Sequence, residues 1–368
     1  MALELPLPER LSLYLLEVIA HRRRGAGAAL VRGFLSLAEL GYRAGVALRE
    51  WAYAGDEERV RRASIPVLSV GNLTAGGTGK TPFSMYLAAR LAAEKRAPAV
   101  AQRGYGAERA GKLNDEGRMI ERALPGVPVV ADRDRLRAVE RAAELGARVA
   151  VLDDGFQHRA LARDLDIVLL DARAPFSNGR LLPRGLLRER PEALARAGAV
   201  VLNHADRVSE DTLALARADV RCLAPEAALA LARLAPASVR RLDEEGGGPP
   251  EALAGRRVGA FAGLADPSAF GEDLRRLGAR VVFARRLGDH HRYRAGELAM
   301  LANEAAAAGA DVLVTTEKDA AKLDVAGSRE AAIPVRVLAS EIRLVEGETA
   351  LWEAIEDAIE ARIGSPPA

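Results

Sequence analysis

The chain has 368 residues, of which 49% are hydrophobic and 28% are charged, and these proportions are ordinary for a soluble globular protein. Its length allows two domains, each with its own core. The net charge of +2 at pH 7 gives no reason to expect a nucleic-acid partner. Cys222 is the only cysteine, which excludes an internal disulfide and a cysteine-based zinc site and indicates a reducing compartment.

The N-terminal segment, up to about residue 62, is predicted to be helical. The apolar stretch at residues 11–20 has no basic segment before it and "HRRR" after it, so we do not expect a cleavable signal. No uncharged run approaches the roughly 18 residues that a bilayer-spanning helix needs. We therefore expect any contact with a membrane to be peripheral.

An amphipathic helix is predicted between Leu30 and Ala52. One face follows a 3,4 spacing and consists of Leu30, Phe34, Leu37, Gly41, Gly45, Leu48 and Ala52. The opposite face carries Arg32, Ser36, Glu39, Arg43 and Glu50. On this segment alone, packing of the apolar face on the protein's own core is the preferred interpretation. The alternative is a helix that lies on an anionic membrane surface or grips lipid chains, next to the basic turn at residues 21–24.

From Ile65 onward, short apolar runs alternate with helical segments. The runs are "IPVLSV", "APAVAQ", "VPVVA", "ARVAVLDD", "DIVLLD" and "GAVVLN", and after a Gly- and Pro-rich stretch they continue as "RRVGAFAGL", "ARVVFA", "ADVLVTT" and "IPVRVLA". Continuous apolar strands between helices predict an α/β fold with a parallel sheet covered on both faces. We predict N-terminal helices (1–62), a P-loop NTPase-like domain (63–241), a linker (242–255) and a second, smaller α/β domain (256–368).

The stretch "SVGNLTAGGTGKTP" predicts a phosphate-binding loop between a strand and a helix. Its backbone N–H groups and the following helix N-terminus would bind a nucleotide's phosphates, with Lys80 on the β- and γ-phosphates and the Thr81 hydroxyl on Mg²⁺. Thr74 stands where the strict pattern GxxxxGK[ST] requires glycine, so the first turn of the loop must differ. Pro82 disfavours a Rossmann dinucleotide site. The candidate nucleotide-binding residues are Thr74, Ala75, Gly76, Gly77, Thr78, Gly79, Lys80 and Thr81.

Lysine is scarce in this chain, and its placement is informative. Of 53 basic residues only five are lysines, namely Lys80, Lys95, Lys112, Lys318 and Lys322. Because arginine fills almost every basic position, a lysine within a motif suggests a functional residue more than an arbitrary surface cation.

A pair of acids, Asp153 and Asp154, follows the apolar run in "ARVAVLDDGFQH". A phosphate loop requires an acid at the end of a neighbouring strand that binds Mg²⁺ or its water. Two adjacent carboxylates repel each other, and a divalent cation would relieve that repulsion. The residues thus indicate an enzyme that uses a Mg²⁺–nucleotide complex.

Several motifs resemble those of the tetraacyldisaccharide 4'-kinases of lipid A synthesis. They are "VGNLTAGGTGKTP", "QRGYG", "LDDGFQH", "RLLPRGLLRE", "LGDHHRY" and "TTEKDA", and they occur in the same order from Val70 to about Asp319. The resemblance implies transfer of the γ-phosphate of ATP, with Mg²⁺, to the 4'-hydroxyl of tetraacyldisaccharide 1-phosphate. It also implies a peripheral or monotopic enzyme on the cytoplasmic face of the bacterial inner membrane, which favours the lipid interpretation of the N-terminal helix. No obligate protein partner is implied.

The resemblance also assigns roles to individual residues. A sugar hydroxyl needs a base, and the resemblance points to an Asp–His pair, Asp115 in "NDEG" and His290 in "LGDHHRY", although "NDEG" lacks the flanking Gly and Pro of the family's "GDEP". Arg188 would neutralise the transferring phosphate, and Arg103 is a second candidate. By the same resemblance, the further nucleotide contacts are Thr316, Glu317 and Lys318, and Glu189 belongs with Arg188 to a segment that lines the active site. The candidate metal ligands are Thr81, Asp153 and Asp154 from the phosphate-loop pattern, together with Glu116 and Glu189.

Three other functions stay open at this point. A P-loop GTPase is one, because "VVLNHAD" places Asn203 and Asp206 as in the guanine-reading NKxD motif, with His204 at the lysine position. A nucleotide-binding membrane adaptor without transfer chemistry is another. The candidate base residues Asp115 and His290 argue against it, because an adaptor needs no base. The third is a soluble kinase for a small alcohol, which would not need amphipathic N-terminal helices.

Overall fold

The computed structural model describes residues 7–53, 59–104, 113–244, 246–263, 267–288, 291–324 and 331–364. The chain divides into two compact units. The larger unit contains Pro6–Arg233 and Ile342–Ala368, and the smaller unit contains Leu234–Glu341. The predicted domain boundaries at residues 62, 241 and 255 stay a prediction.

Strands and helices alternate along the chain from residue 67. The strands are β1 (Val67–Asn72), β2 (Pro98–Gln102), β3 (Val129–Ala131), β4 (Val149–Asp153), β5 (Leu165–Asp171), β6 (Ala199–Asn203), β7 (Ala228–Arg241), β8 (Arg257–Ala262), β9 (Arg280–Arg286), β10 (Val312–Thr316) and β11 (Val335–Glu346). The helices are α1 (Leu7–Ile19), α2 (Ala26–Tyr53), α3 (Lys80–Ala93), α4 (Asp115–Ala123), α5 (Arg135–Glu144), α6 (Glu210–Leu223), α7 (Pro267–Arg276), α8 (Glu297–Ala307), α9 (Glu317–Ala320) and α10 (Glu348–Gly364). The predicted α/β class is confirmed.

The larger unit is built on a parallel sheet with strand order β3-β2-β4-β1-β5-β6-β7. The central strand β1 is buried at every position and lies between β4 and β5, with Val70 opposite both Asp153 and Ile167. Helices α3 and α5 pack against the sheet. Because the strands are parallel, their carboxyl ends meet at one edge, and the segments after β1, β4 and β6 all begin there.

The smaller unit contains parallel strands in the order β11-β10-β8-β9. Helix α8 packs against β8, β9 and β10, and α7 packs against β8 and β9. Its two apolar clusters contain Phe261, Leu301 and Leu313 on one side, and Leu253, Val258 and Leu274 on the other. The smaller unit therefore has the α/β class that the sequence predicts for a second domain.

The predicted apolar face of α2 is exposed, contrary to the interpretation that the segment alone favours. The exposed large side chains on this helix are Leu30, Phe34, Leu37, Leu40, Leu48 and Trp51, which are 59% to 77% accessible. The buried residues of the helix are Ala28, Glu39 and Val46. The helix therefore turns its polar side inward at Glu39 and leaves its apolar side uncovered. Within the described part of the chain, no helix combines the length and apolarity needed to cross a membrane.

Strand β7 has no clear signal in the sequence. Its residues, "ALALARLAPASVRR", are mostly Ala, Leu and Arg, and they contain a single β-branched residue, Val239. The strand forms because residues 228–231 pair in parallel register with the edge of β6 that β5 does not occupy. Tertiary pairing overrides the weak local preference for a strand here.

We expect Gly71→Ala to destabilise the larger unit. A Cβ at position 71 would collide with the Cβ of Phe156 and lie 2.9 Å from its backbone nitrogen, and both residues are buried in the sheet region. Overpacking of this kind costs about 1–3 kcal/mol of unfolding free energy. Calorimetry of thermal unfolding is the measurement.

The matched control is Gly41→Ala in α2, where a Cβ meets nothing within 4 Å. Alanine in a helix is favoured over glycine by about 0.5–1 kcal/mol, so this variant should be no less stable than the wild type. Equal melting temperatures for the two variants would contradict the close packing of β1 on Phe156.

Candidate active site

The predicted phosphate loop joins β1 to α3, at the carboxyl end of the central strand. Gly76 and Gly77 are exposed at its tip, and Gly76 and Gly79 have φ angles of 129° and 88°. Glycine adopts these conformations without strain and lets a phosphate approach the backbone closely. The helix begins at Lys80, directly after Gly79. This geometry fits the binding of a nucleotide's phosphates.

The structure explains why Thr74 can replace the first glycine of the strict pattern. Thr74 forms an antiparallel bridge with Leu187, and the neighbouring Ala75 N–H donates to the Leu186 carbonyl at 2.6 Å. The Asn72 amide donates to the Thr74 carbonyl at 2.6 Å and to the Thr78 hydroxyl at 3.0 Å. Position 74 is therefore extended backbone in a short ladder, which does not require glycine.

A second asparagine holds the other end of the loop. Asn203, the last residue of β6, donates from its amide to the Thr78 carbonyl at 3.0 Å, and its Oδ1 accepts from the His204 N–H at 2.9 Å. A Cβ on Gly79 would collide with the same amide. Asn203 thus supports the loop backbone, a role different from the guanine-reading one that its sequence motif suggests.

Lys80 points into a cluster of charges formed by the larger unit. Its side chain is 13% exposed, and its Nζ lies 3.5 Å from Asp154 Oδ1. Burial lowers the pKa of Lys80, and Asp154 opposes that shift by favouring the charged form. A cation that is held away from water in this way acts strongly on a nearby anion.

Asp153, the last residue of β4, is buried and hydrogen bonded on both carboxylate oxygens. The Thr81 hydroxyl donates to Oδ2 at 3.3 Å, and the Ser84 hydroxyl donates to Oδ1 at 2.9 Å. Burial raises the pKa of Asp153 to about 6, and the Ser84 hydrogen bond partly offsets this while Glu116 adds to it. No sequence signal points to Ser84, because a serine within a helix does not reveal which strand end it contacts.

Asp154 adopts a φ of 54° and turns its carboxylate toward cations. Arg188 Nη1 donates to its two oxygens at 3.0 and 3.1 Å. Burial alone would raise the pKa of Asp154, but Lys80 and then Arg188 lower it below the usual value. The adjacent acids are therefore divided, one toward hydroxyl groups and one toward cations.

Two further residues complete the cluster: Arg135, which lies in none of the quoted motifs, and Gln157, which lies within "LDDGFQH". Arg135 is 4% exposed, and its Nη2 donates to the carbonyls of Asp153 and Asp154 at 3.3 and 3.5 Å. Burial lowers the pKa of Arg135 to about 10. Gln157 donates to the Asn72 carbonyl at 2.8 Å and accepts from Arg188 Nη1 at 3.3 Å.

The remaining predicted metal ligands differ in their surroundings. Glu189 is 1% exposed, and its Oε2 accepts from Arg196 Nη2 at 2.8 Å. Glu116 is half-buried near Asp153.

Among the residues that the structure describes, no group of three or more His, Cys, Asp or Glu side chains is arranged to hold a metal. Mg²⁺ does not need such a group, because it commonly uses one or two carboxylates with water and phosphate oxygens. The oxygen donors of Thr81 and Asp153 fit that chemistry.

The two residues predicted to form the catalytic base, Asp115 and His290, lie only partly within the described part of the chain. Asp115 is the first residue of α4, which Asn114 caps by accepting from the Gly117 N–H at 2.9 Å. The side chain of Asp115, like the whole of His290, lies outside the described residues. The neighbouring His291 is described, and its Nε2 lies 2.7 Å from Glu297 Oε1. Arg103, the other arginine candidate, is exposed just after β2.

The motif "TTEKDA" lies at the end of β10 in the smaller unit. Thr316 caps α9 from the position before the helix, accepting from the Asp319 N–H at 3.3 Å and donating to Asp319 Oδ2 at 2.8 Å. Burial raises the pKa of Glu317. Lys318 is half-buried in the same turn.

Comparisons with known proteins agree with this geometry. A family model described as tetraacyldisaccharide-1-P 4'-kinase matches residues 31–360. A tetraacyldisaccharide 4'-kinase of Anaeromyxobacter dehalogenans is 45% identical over 357 residues, with 92% of this chain and 94% of that protein covered. One of Geobacter metallireducens is 40% identical over 326 residues, with 84% and 94% covered.

A solved structure is also similar. The crystal structure of LpxK from Aquifex aeolicus in complex with ATP aligns with a TM-score of 0.69 and 29% identity, and it covers 89% of this chain and 99% of that one. The family model, the relatives and this structure each match most of the chain's length. The chain belongs to the tetraacyldisaccharide-1-P 4'-kinase family.

Proposed function

We propose that this chain is an ATP-dependent kinase that phosphorylates the 4'-hydroxyl of tetraacyldisaccharide 1-phosphate in lipid A biosynthesis. The observation that carries the proposal is the convergence of Lys80, Asp154 and Arg188 beside the phosphate loop. Family membership supports the acceptor, and the ATP in the complex of the similar LpxK supports the donor.

The loop residues 74–81 would hold the phosphates of ATP, and Thr81 and Asp153 would hold Mg²⁺, which neutralises charge on the phosphates. Asp154, Glu116 and Glu189 stay proposed as further metal contacts, but Asp154 is engaged by cations and Glu189 by Arg196. Lys80 and Arg188 are the groups that would stabilise negative charge on the transferred phosphoryl group. Thr316, Glu317 and Lys318 stay proposed nucleotide contacts on the family resemblance.

Asp115 and His290 are proposed as the pair that removes the proton of the 4'-hydroxyl. A sugar hydroxyl is a weak nucleophile at neutral pH, so a base within reach of its proton is required. The proposal rests on the family motifs, because "NDEG" and "LGDHHRY" match the segments in which the family carries this pair.

The exposed face of α2 is proposed to contact the lipid surface. Leu30, Phe34 and Leu37 alone expose three large apolar side chains on successive turns, and an uncovered apolar stripe of this kind marks an interaction surface. The exposed basic residues 22–24 lie just before this helix and would favour anionic lipid. This supports a peripheral location on a membrane surface. The cytoplasmic face of the inner membrane, where the lipid acceptor would reside, stays proposed on the family resemblance.

The alternative functions are less well supported. Asn203 is committed to the Thr78 carbonyl and the His204 N–H, which leaves it poorly placed to read a guanine base as a GTPase would. An adaptor without chemistry and a kinase for a small soluble alcohol do not fit the family, and a small alcohol gives no reason for an exposed apolar helix face.

We expect Lys80→Met to abolish phosphorylation of the lipid. Methionine keeps the buried apolar stem and removes the cation, so kcat should fall by about 10³-fold or more. The measurement is label transfer from γ-labelled ATP to tetraacyldisaccharide 1-phosphate in mixed micelles. Lys95→Met, at an exposed lysine after α3, is the control and should keep full activity. Labelled lipid from the Lys80 variant at the wild-type rate would contradict the proposal.

We expect the double variant Phe34→Ser, Leu37→Ser to bind lipid vesicles more weakly. Each side chain contributes about 1.5–3 kcal/mol when it is fully buried, so partition onto vesicles with anionic lipid should fall at least about tenfold. Leu215→Ser in α6 removes an equally exposed leucine and should not change vesicle binding. Sedimentation with vesicles measures both, and equal binding by the wild type and both variants would count against α2 as the lipid-contacting surface.

We expect Asp115→Asn and His290→Ala each to lower kcat about 10²-fold or more, because each removes part of the base. If they act as a pair, the double variant should be little worse than the more severe single variant. Steady-state kinetics with lipid and ATP gives these values. Independent, multiplying losses would show that the two residues do not act on the same proton.

A further inference from the structure

Helix α2 is fastened to the segment that carries Arg188. We name residues 178–188 the Arg188 loop. The Glu39 Oε1 accepts from the Leu181 N–H at 3.0 Å, and the Tyr42 hydroxyl donates to the Arg188 carbonyl at 3.0 Å. The two residues are three positions apart in the helix and so lie on one face. The Arg188 loop is therefore held by α2 near both of its ends.

The turn between α1 and α2 contacts the same loop. Asn178 Nδ2 donates to the Ile19 carbonyl at 3.3 Å, and Arg184 Nη2 lies 2.9 Å from His21 Nε2. Arg184 is 9% exposed and His21 is exposed, so this contact is partly shielded from water. Helices α1 and α2 and the turn between them are thus hydrogen bonded to the loop at four positions along its length.

The other side of the Arg188 loop is part of the phosphate-loop ladder. The Arg188 N–H donates to the Leu73 carbonyl at 2.7 Å, next to the bridge between Thr74 and Leu187. The Arg188 guanidinium then reaches Asp154. Backbone contacts of a single residue, Arg188, thereby connect α2 on one side with the phosphate loop on the other.

The burial of Glu39 indicates that this attachment is specific. Glu39 is 4% exposed, and its partners are the Leu181 N–H and Arg180 Nη1 at 3.7 Å. A buried carboxylate is costly unless hydrogen bonds and a nearby cation compensate it. Displacement of the loop would remove that compensation. The Tyr42 ring adds apolar contact with the buried cluster that contains Leu73, Leu181 and Leu187.

We infer that Tyr42 and Glu39 are positioning residues that set Arg188 against the phosphate loop from helix α2. Neither residue is proposed to touch ATP or the sugar. The inference rests on the proposed function, because the opposite face of α2 carries the proposed lipid contacts. Helix α2 would then determine both the contact with lipid and the position of the Arg188 guanidinium.

The test is Tyr42→Phe, which keeps the ring and removes only the hydroxyl. We expect kcat for lipid phosphorylation to fall about fivefold through loss of one hydrogen bond, with KM for ATP and the melting temperature near wild type. Tyr53→Phe, on the same helix, is the matched control, because its ring contacts Arg159, which lies outside the Arg188 loop.

A double-mutant cycle separates positioning from general stability. If Tyr42 acts through Arg188, adding Tyr42→Phe to Arg188→Lys should cost much less than the same change costs in the wild type. Glu39→Gln keeps an oxygen that can accept from the Leu181 N–H, so it should retain more activity than Glu39→Met, which has a similar size and no such acceptor.

The inference is overturned if Tyr42→Phe matches Tyr53→Phe in kcat, or if its loss is undiminished in the Arg188→Lys background. In either case the wild-type enzyme would still transfer label to the lipid, so the proposed function would stand. A wild-type enzyme that releases phosphate from ATP without labelling the lipid would contradict the proposed function, and this inference with it.

Discussion

The site depends on how the larger unit accommodates two adjacent carboxylates at the end of β4. Asp153 is buried and Asp154 is partly exposed at the same strand end, and their repulsion would disfavour the fold if both faced the same way. The positive φ at Asp154 separates them. One then meets the hydroxyls of Thr81 and Ser84, and the other meets Lys80 and Arg188, while Arg135 donates to both of their carbonyls. Neutral hydroxyl donors therefore bind the carboxylate of Asp153, and cations bind the carboxylate of Asp154.

The part of this arrangement that is local in sequence could be predicted. The strand, the glycine turn and the helix after it are contiguous, and the acids follow an apolar run, so their spacing carries the signal. The partners that come from distant segments could not be predicted in the same way. Leu187 pairs with Thr74, Asn203 supports the Thr78 carbonyl and Ser84 contacts Asp153, yet none of these pairs has a characteristic spacing. The fold class could be predicted from the alternation of strands and helices. Strand β7 could not be predicted, because its pairing with β6, and not its composition, makes it a strand.

Helix α2 shows a different limit of sequence periodicity. The 3,4 spacing locates an apolar stripe and a polar stripe, but it does not determine which of them faces the protein. The usual expectation, apolar side inward, would place Glu39 in solvent. Instead Glu39 is buried and Leu30, Phe34 and Leu37 are exposed. A helix whose environment includes lipid can bury its polar side, because its apolar side has another apolar phase to enter.

This inversion has a consequence for how firmly the helix can be held. The hydrophobic effect is non-directional, so apolar contact alone fixes the register of one helix against its neighbour less tightly. Hydrogen bonds require a fixed distance and direction, so the bonds of Glu39 and Tyr42 define one register of α2 on the Arg188 loop. The polar side thus fixes the position of the helix and leaves the apolar side free of that task. If the apolar side contacts lipid as proposed, α2 can meet a fluid surface while the bonds of its polar side hold the backbone of Arg188, whose guanidinium lies 3.0 Å from Asp154.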